Sequence, residues 1–311
     1  MKKISCVLFV LLLVVAACST NDTKKDESKE QKAATKTITT INGDIEIPTN
    51  VERLVVEAYL PTALLLGVKP IGATEQDLLN VHIKDQIEGI ENTGESSPEK
   101  ILALKPDLII TANPDTKVYE KLSKIAPTIV LPYETYRNVD DEVNALAEIL
   151  GKEKEGDEWL ADFHQTVKAN RERLEGVMEP NETIALLGAY KDDYYVYGDG
   201  IYRGGQAMYQ QLQLKPSEGI QKNMIDKDIT FQQIAYEVLP EYAGDYIFLD
   251  ESYSDGMNKD DELWQSLPAV KNDNVFYLDE AVFWPFDPIA VKNQVVVITD
   301  WLIDNKEKKQ K

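Results

Sequence analysis

Short apolar runs alternate with helical stretches twice along this chain of 311 residues, and a long charged helical stretch separates the two series. Strands that alternate with helices build a mostly parallel sheet, so each series predicts an α/β lobe. In the first, Asn42-Gly43 sits between two β-branched runs over 38–47, a hairpin signal. Strands are expected at 53–56, 70–74, 107–111 and 128–131, with helices at 60–66, 97–105 and 116–125. Ser97 and Pro98 supply the N-cap and first position of the second of these helices. The second series predicts strands at 183–187, 194–197, 245–249 and 274–278, and helices at 204–212, 230–239 and 288–304.

Residues 140–178 read as helix, interrupted at Gly151 and Gly156. The longest unbroken part, 157–175, is charged and amphipathic and would span about 30 Å. It is either the surface helix of one large domain or a rigid spine between two lobes. The α/β pattern that resumes beyond it favours the spine. The expected architecture is therefore two α/β lobes with mostly parallel sheets, bridged by a long rigid helix, with a ligand cleft between them. The boundaries fall at 37–139 for the first lobe, 140–178 for the helical linker and 179–311 for the second lobe.

Composition narrows the function. Apolar residues make up 43% of the chain, enough for a folded core. A net charge of −21 argues against nucleic-acid binding and against a polybasic membrane patch. Two His and two Cys leave too few ligands for zinc fingers or cysteine-held clusters. An extracellular hydrolase is the competing class, but it needs a nucleophile–base pair or a metal. Neither His82 nor His164 has a candidate nucleophile beside it in sequence. The run from Gly198 to Gly204 has its third glycine one place late for a dinucleotide fingerprint. The acidic stretch 250–262 fails the calcium-loop spacing and reads as solvated surface.

Lys2 and Lys3 precede an apolar run from residue 4 to 17, a leader too short to span a membrane. The run ends Val15-Ala16-Ala17-Cys18, which resembles the lipobox of bacterial lipoproteins; the alternative is an ordinary secretory cleavage site. The resemblance implies cleavage after residue 17 and a lipid on Cys18. Residues 18–36 then form a polar tether without large apolar side chains, so the expected location is the outer face of a bacterial cell membrane.

Several segments together resemble the iron(III)-siderophore-binding lipoproteins of bacterial ABC importers, the helical-spine class of substrate-binding proteins. They are Arg53-Leu-Val-Val with Ala63 to Gly72, then Ser97-Pro-Glu-Lys-Ile-Leu-Ala-Leu-Lys-Pro-Asp-Leu-Ile-Ile110. In the second series they are Tyr197 to Gly205, Glu241 to Ile247 and Phe283-Trp-Pro-Phe-Asp-Pro288. The ordered set covers about residues 37 to 305. It implies capture of an iron(III)–siderophore complex, of hydroxamate type by preference, and its delivery to an ABC permease with its ATPase. No permanent cofactor, no catalysis and a monomeric state are expected. Catecholate siderophores, ferric citrate, cobalamin and haem are the other ligands considered. The first two are anionic and want a basic cluster that five arginines, two of them in the spine, do not supply.

A siderophore fills the iron shell with its own oxygens, so the protein needs aromatic walls and a few donors and no metal ligands of its own. Arg203, in a glycine-flanked loop that opens a helix, offers a fork of donors; a structural pairing with an acid is the other reading. The resemblance places an iron-site contact there, although relatives often carry Trp where this chain has Ile201. Trp284, beside Pro285, could wall the ligand or pack under the last helix. Tyr195 and Tyr202 join them, with Tyr197 and Phe286 as weaker candidates. Tyr59 and Tyr133 follow first-lobe strands, and Tyr136 and Arg137 lie beside the latter. The family match marks Glu99 and Glu237, one per lobe and both expected on helices, as permease contacts.

Cys18 is the one cysteine left once the leader is removed. Metabolic labelling with a fatty acid is expected to mark the wild-type chain and not Cys18→Ala. Undiminished label in the variant would rule out this anchor.

Overall fold

The computed structural model of the protein describes residues 34–190, 193–253 and 258–311. The leader, Cys18 and nearly all of the stretch read as a tether lie outside the described residues. The first strand, β1 (Thr35–Thr40), begins just before the end of that stretch and pairs antiparallel with β2 (Gly43–Pro48). The turn is Ile41-Asn42, one residue earlier than expected, because Thr40 pairs with Gly43 and the glycine takes the left-handed φ of 95°.

The first-lobe sheet contains β3 (Leu54–Val56), β4 (Gly72–Ala73), β5 (Glu91–Asn92), β6 (Leu108–Thr111) and β7 (Thr128–Val130). Its order is β5-β4-β3-β6-β7 and every pairing is parallel. Each residue of β3, β6 and β7 is buried, which is why these segments read as unbroken apolar runs in the sequence.

The second sheet contains β8 (Ile184–Tyr190), β9 (Asp193–Tyr197), β10 (Phe231–Ile234), β11 (Tyr246–Tyr253) and β12 (Val275–Tyr277). Its order, β10-β9-β8-β11-β12, repeats that of the first. Here β8, β11 and β12 are parallel, while β9 and β10 run antiparallel. In both lobes the chain starts in the middle strand, builds to one side and crosses back to the other. The loops leaving β3 and β8 therefore diverge from those leaving β6 and β11. A crevice opens at the carboxyl ends of these strands, the usual seat of a ligand in open α/β sheets.

The segment 230–239, expected to be a helix, is instead strand β10 followed by a one-turn 3-10 helix at Tyr236–Val238. Phe231, Ile234 and Val238 imitate a helical stripe. The free edge of β9 offers backbone partners that decide the matter, pairing Phe231 with Tyr197 and Ile234 with Tyr194. The helix expected at 204–212 is a 3-10 turn, Tyr202–Gly204, followed by a wide π-type helix, Gln206–Gln211.

Between the sheets, the helix Val139–Leu150 ends at Gly151, whose φ of 66° makes the left-handed cap, and the spine helix runs over Glu153–Arg173. Gly156 does not interrupt the spine. A Cβ there would lie 3.0 Å from the Cβ of Ala147, so the glycine allows the two helices to approach closely. Gly156, Leu160, Phe163, Val167 and Asn170 are the buried positions, alternately four and three residues apart, a single inward stripe.

The spine is joined by the C-terminal helix Pro288–Lys309, which packs against it, against Leu60–Leu65 of the first lobe and against Gln206–Gln211 of the second. Val291, Val295, Ile298 and Leu302 are buried along it. The helix expected to belong to the second lobe thus serves both. Polar contacts add to this: Asn80 Nδ2 donates to Asp287 Oδ2 at 2.8 Å, and His82 Nε2 lies 3.0 Å from the Val282 carbonyl. On the other flank, Arg137 pairs with Asp228 and Thr230 Oγ1 donates to Glu134 at 3.2 Å.

Where Val139–Leu150 meets the first lobe, Glu142 is buried and accepts a hydrogen bond from the Thr62 hydroxyl. Burial pushes its carboxyl from 4.5 up to about 8, against the opposing effect of that hydroxyl. The folded state therefore holds a proton that the unfolded chain has released, and stability should fall as pH rises from about 4.5 to about 8. Denaturant unfolding across that range should show the decline in the wild type and a flatter profile in Glu142→Gln. Equal slopes would remove Glu142 as the cause.

Candidate ligand-binding site

The crevice holds a cavity of about 910 Å³ between the two lobes. Its walls come from the loops after the strands: Ala58 after β3, Asp77 and Asn80 after β4, and Tyr133 after β7. The second lobe supplies Tyr195 and Tyr197 from β9, Arg203 from the 3-10 turn, and Trp284, Pro285 and Phe286 from the segment before the last helix. Tyr190 and Phe231 also line it.

Arg203 is the fixed point of the second wall. Its backbone is left-handed, φ 55° and ψ 24°, and Gly204 follows at φ 87°, so the chain turns sharply and lays the side chain across the sheet. The guanidinium carbon sits 3.8 Å from the centre of the Trp284 ring and 5.7 Å from that of Tyr197. Nε donates to Asp250 Oδ2 in an ion pair whose side chains are 15% and 7% exposed. Asp250 is itself oriented by Ser252, whose backbone N–H donates to Oδ1 at 3.1 Å. Three groups thus hold the guanidinium plane, Tyr197 among them through a side-chain hydrogen bond from Arg203 to its phenol as well as the ring contact. Arg203 lines the cleft and is also paired with an acid, the second of the two expected readings.

Around it the aromatic rings brace one another. Tyr202 packs edge-on to Phe231 with centroids 5.1 Å apart, and Tyr133 meets Phe286 edge-on at 5.7 Å, a contact across the lobes. Burial and the Glu134 carboxylate push the Tyr202 phenol up to about 12; burial, tempered by Arg203, does the same for Tyr197. Both phenols keep their protons at neutral pH; the Tyr202 hydroxyl donates to Glu134, and the Tyr197 hydroxyl accepts from Arg203.

The residues expected in the site divide as follows. Arg203, Trp284, Tyr195, Tyr197, Tyr202, Tyr133 and Phe286 line the one cavity. Tyr59 does not. The left-handed φ of 73° at Ala58 turns the chain inward, and Tyr59 is buried with its hydroxyl donating to the Leu131 carbonyl at 3.0 Å. Tyr136 packs edge-on against it, 6.4 Å away, also outside the cavity. Glu99 and Glu237 are exposed and lie away from the cleft. Glu99 is in the first turn of the helix Pro98–Leu104, and its carboxyl is lowered by its own backbone N–H and then by the Ser97 hydroxyl. Glu237 is in a 3-10 turn rather than an α-helix, a consequence of β10.

Sequence reasoning missed Asp77, Asn80 and Asp250. Asp250, which in sequence reads as the start of a solvated loop, closes the buried part of β11. The apolar run 246–249 that precedes it was the available signal. Among the described residues, no three His, Cys, Asp or Glu side chains come together to hold a metal ion.

Two α/β lobes joined by shared helices around an aromatic cleft define a substrate-binding protein in architecture. The periplasmic binding protein family model matches residues 59–282, and the chain belongs to that family. It is 34% identical to the iron(3+)-hydroxamate-binding protein YxeB of Bacillus subtilis strain 168, over 98% of this chain and 97% of that one. It is likewise 34% identical to the iron(3+)-hydroxamate-binding protein FhuD of the same strain, over 97% and 98%. Among solved structures, a FhuD fold-family protein of Bacillus subtilis, described as the periplasmic binding component of a Fep/Fec-like ferrichrome ABC transporter, superposes with a TM-score of 0.76. It shares 31% identity, over 86% of this chain and 99% of that one.

Proposed function

We propose that this chain captures an iron(III)–hydroxamate complex outside the cytoplasm and delivers it to the permease of an ABC importer. The observation that carries the reading is the oriented Arg203 guanidinium, held by Asp250 and Trp284, on the wall of an aromatic cavity. A hydroxamate complex presents a compact set of metal-bound oxygens and little net charge of its own. One fork of N–H donors can meet those oxygens, and tyrosine and tryptophan rings can cover the rest. The 34% identity to two iron(3+)-hydroxamate-binding proteins over nearly the whole chain points the same way. An anionic catecholate or citrate complex would meet a wall with a single guanidinium and several carboxylates, a poor electrostatic match.

The reading involves no chemical step. His82 is engaged by the Val282 carbonyl and Asn293, and His164 lies 2.9 Å from Asp140 on the spine, so neither imidazole is posed beside a nucleophile. Lipid attachment at Cys18 would hold a monomer at the outer membrane face. Glu99 and Glu237, exposed on separate lobes, would meet the permease and its attached ATPase through one docking face. No helix among the described residues is long and apolar enough to cross a membrane.

Titration of intrinsic fluorescence with ferrichrome separates these roles. Trp284 is the one tryptophan lining the cavity, since Trp159 stacks on Phe163, Trp301 stacks on Phe283, and Trp264 is buried elsewhere. Wild-type protein should be quenched, and Trp284→Phe should lose most of the signal. Arg203→Ala should bind about ten- to a hundredfold more weakly, the loss of a charge-assisted hydrogen bond. Glu99→Arg and Glu237→Arg should keep the wild-type titration and lose uptake in cells. Unchanged quenching in Trp284→Phe with unchanged affinity in Arg203→Ala would place the ligand elsewhere.

A further inference from the structure

The ionisable groups on the cavity wall are not balanced. Asp77, Asp279, Glu280 and Asp287 line it against the one guanidinium of Arg203, which is already paired with Asp250. Two of these carboxylates serve helix starts: Asp279 accepts from Ala281 N at 2.9 Å, and Asp287 from Ala290 N at 2.9 Å. Asp77 stands apart, because it comes from the first lobe, across the cavity from Arg203.

The Asp77 carboxylate accepts from Thr74 Oγ1 at 2.6 Å, from Ala58 N at 3.0 and 3.1 Å, and from Thr74 N at 3.3 Å. All are neutral donors. Oδ1 accepts from Ala58 N alone, which leaves it an acceptor position. No Lys, Arg or His pairs with Asp77 among the described residues.

Behind it Glu57, 3% exposed, closes β3. Its Oε2 accepts from Thr111 Oγ1 at 2.5 Å and Ser96 Oγ at 2.8 Å, while its buried Oε1 has no partner. A second buried carboxylate without a cation thus backs the first. Tyr133 lines the same cavity as Asp77, and burial and then the charges of Asp77 and Glu57 raise its phenol. Tyr133 is 58% exposed, so its ring is open to a group entering the cavity. Two uncompensated carboxylates and an open aromatic ring form a corner complementary to a primary ammonium.

We infer that this first-lobe corner, Asp77 with Glu57 behind it and Tyr133 beside it, makes the protein select ferric hydroxamates that carry a free ammonium group over uncharged ones. The inference rests on the iron-hydroxamate reading and adds a specificity-determining residue to it. The iron shell faces Arg203 and Trp284, and the cationic tail faces Asp77. Such a division also sets the orientation of the complex in the cleft.

The test compares two ligands that differ in this one feature. Iron(III) desferrioxamine B ends in a primary ammonium; its N-acetylated form has the same iron shell and an uncharged tail. Wild-type protein should bind the first more tightly by about tenfold at low ionic strength, and the ratio should shrink as salt is added. Asp77→Asn keeps an acceptor for the Thr74 and Ala58 N–H groups and removes the charge, so the ratio should collapse toward one. Equal affinities for the two complexes in the wild type would overturn the inference. So would a ratio in Asp77→Asn that equals the wild-type ratio. Because each variant supplies its own reference ligand, misfolding lowers both affinities and cannot imitate a change of ratio. Failure of wild-type protein to bind either complex would instead overturn the iron-hydroxamate reading beneath it.

Discussion

The buried pairing of Arg203 with Asp250 is the constraint around which the cleft is organised. Taking a guanidinium and a carboxylate out of water is costly unless each is fully engaged, and removing one partner leaves the other charge stranded. The chain meets that demand from three separate segments. The left-handed turn at Arg203 aims the side chain, β11 delivers Asp250, and the loop before the last helix lays Trp284 over the guanidinium. A freely rotating arginine would lose side-chain entropy on meeting a ligand. Here that ordering accompanies folding, which favours affinity for whatever accepts the remaining N–H donors.

The lobes themselves are held as a pair. The C-terminal helix packs on the spine and on both lobes, so the cleft width depends on a helical layer rather than on one strut. Contacts on two flanks add to this layer, from Asn80 and His82 on one side and from Glu134 and Arg137 on the other. An aromatic cavity with its walls fixed in advance suits a rigid, preformed ligand such as an iron complex.

The apolar runs that became β3, β6, β7 and β8 were legible because strands covered on both faces need no polar alternation. Arg203 and Trp284 were legible because glycine and proline mark loops, and large donors or rings in such loops are rare. Tyr59 misled because the position after a strand does not reveal the direction of a side chain. The positive φ of Ala58, unusual for a residue with a Cβ, turns it into the core. The segment 230–239 misled because pairing with a distant strand edge outweighs local helical spacing. Asp77 and Asp250 were invisible for a different reason. In a chain with 54 acidic residues, two carboxylates that happen to be buried carry no mark of it in sequence.

If Arg203 meets the ligand, Asp250, which does not line the cavity, should set the affinity by orienting it. Equilibrium titration of Asp250→Asn with ferrichrome tests it directly, with circular dichroism to confirm folding. Asn keeps an oxygen that can accept from Nε but removes the charge that holds the guanidinium in place. The expected result is a folded protein that binds about tenfold more weakly. A folded Asp250→Asn that binds ferrichrome as tightly as the wild type would contradict it.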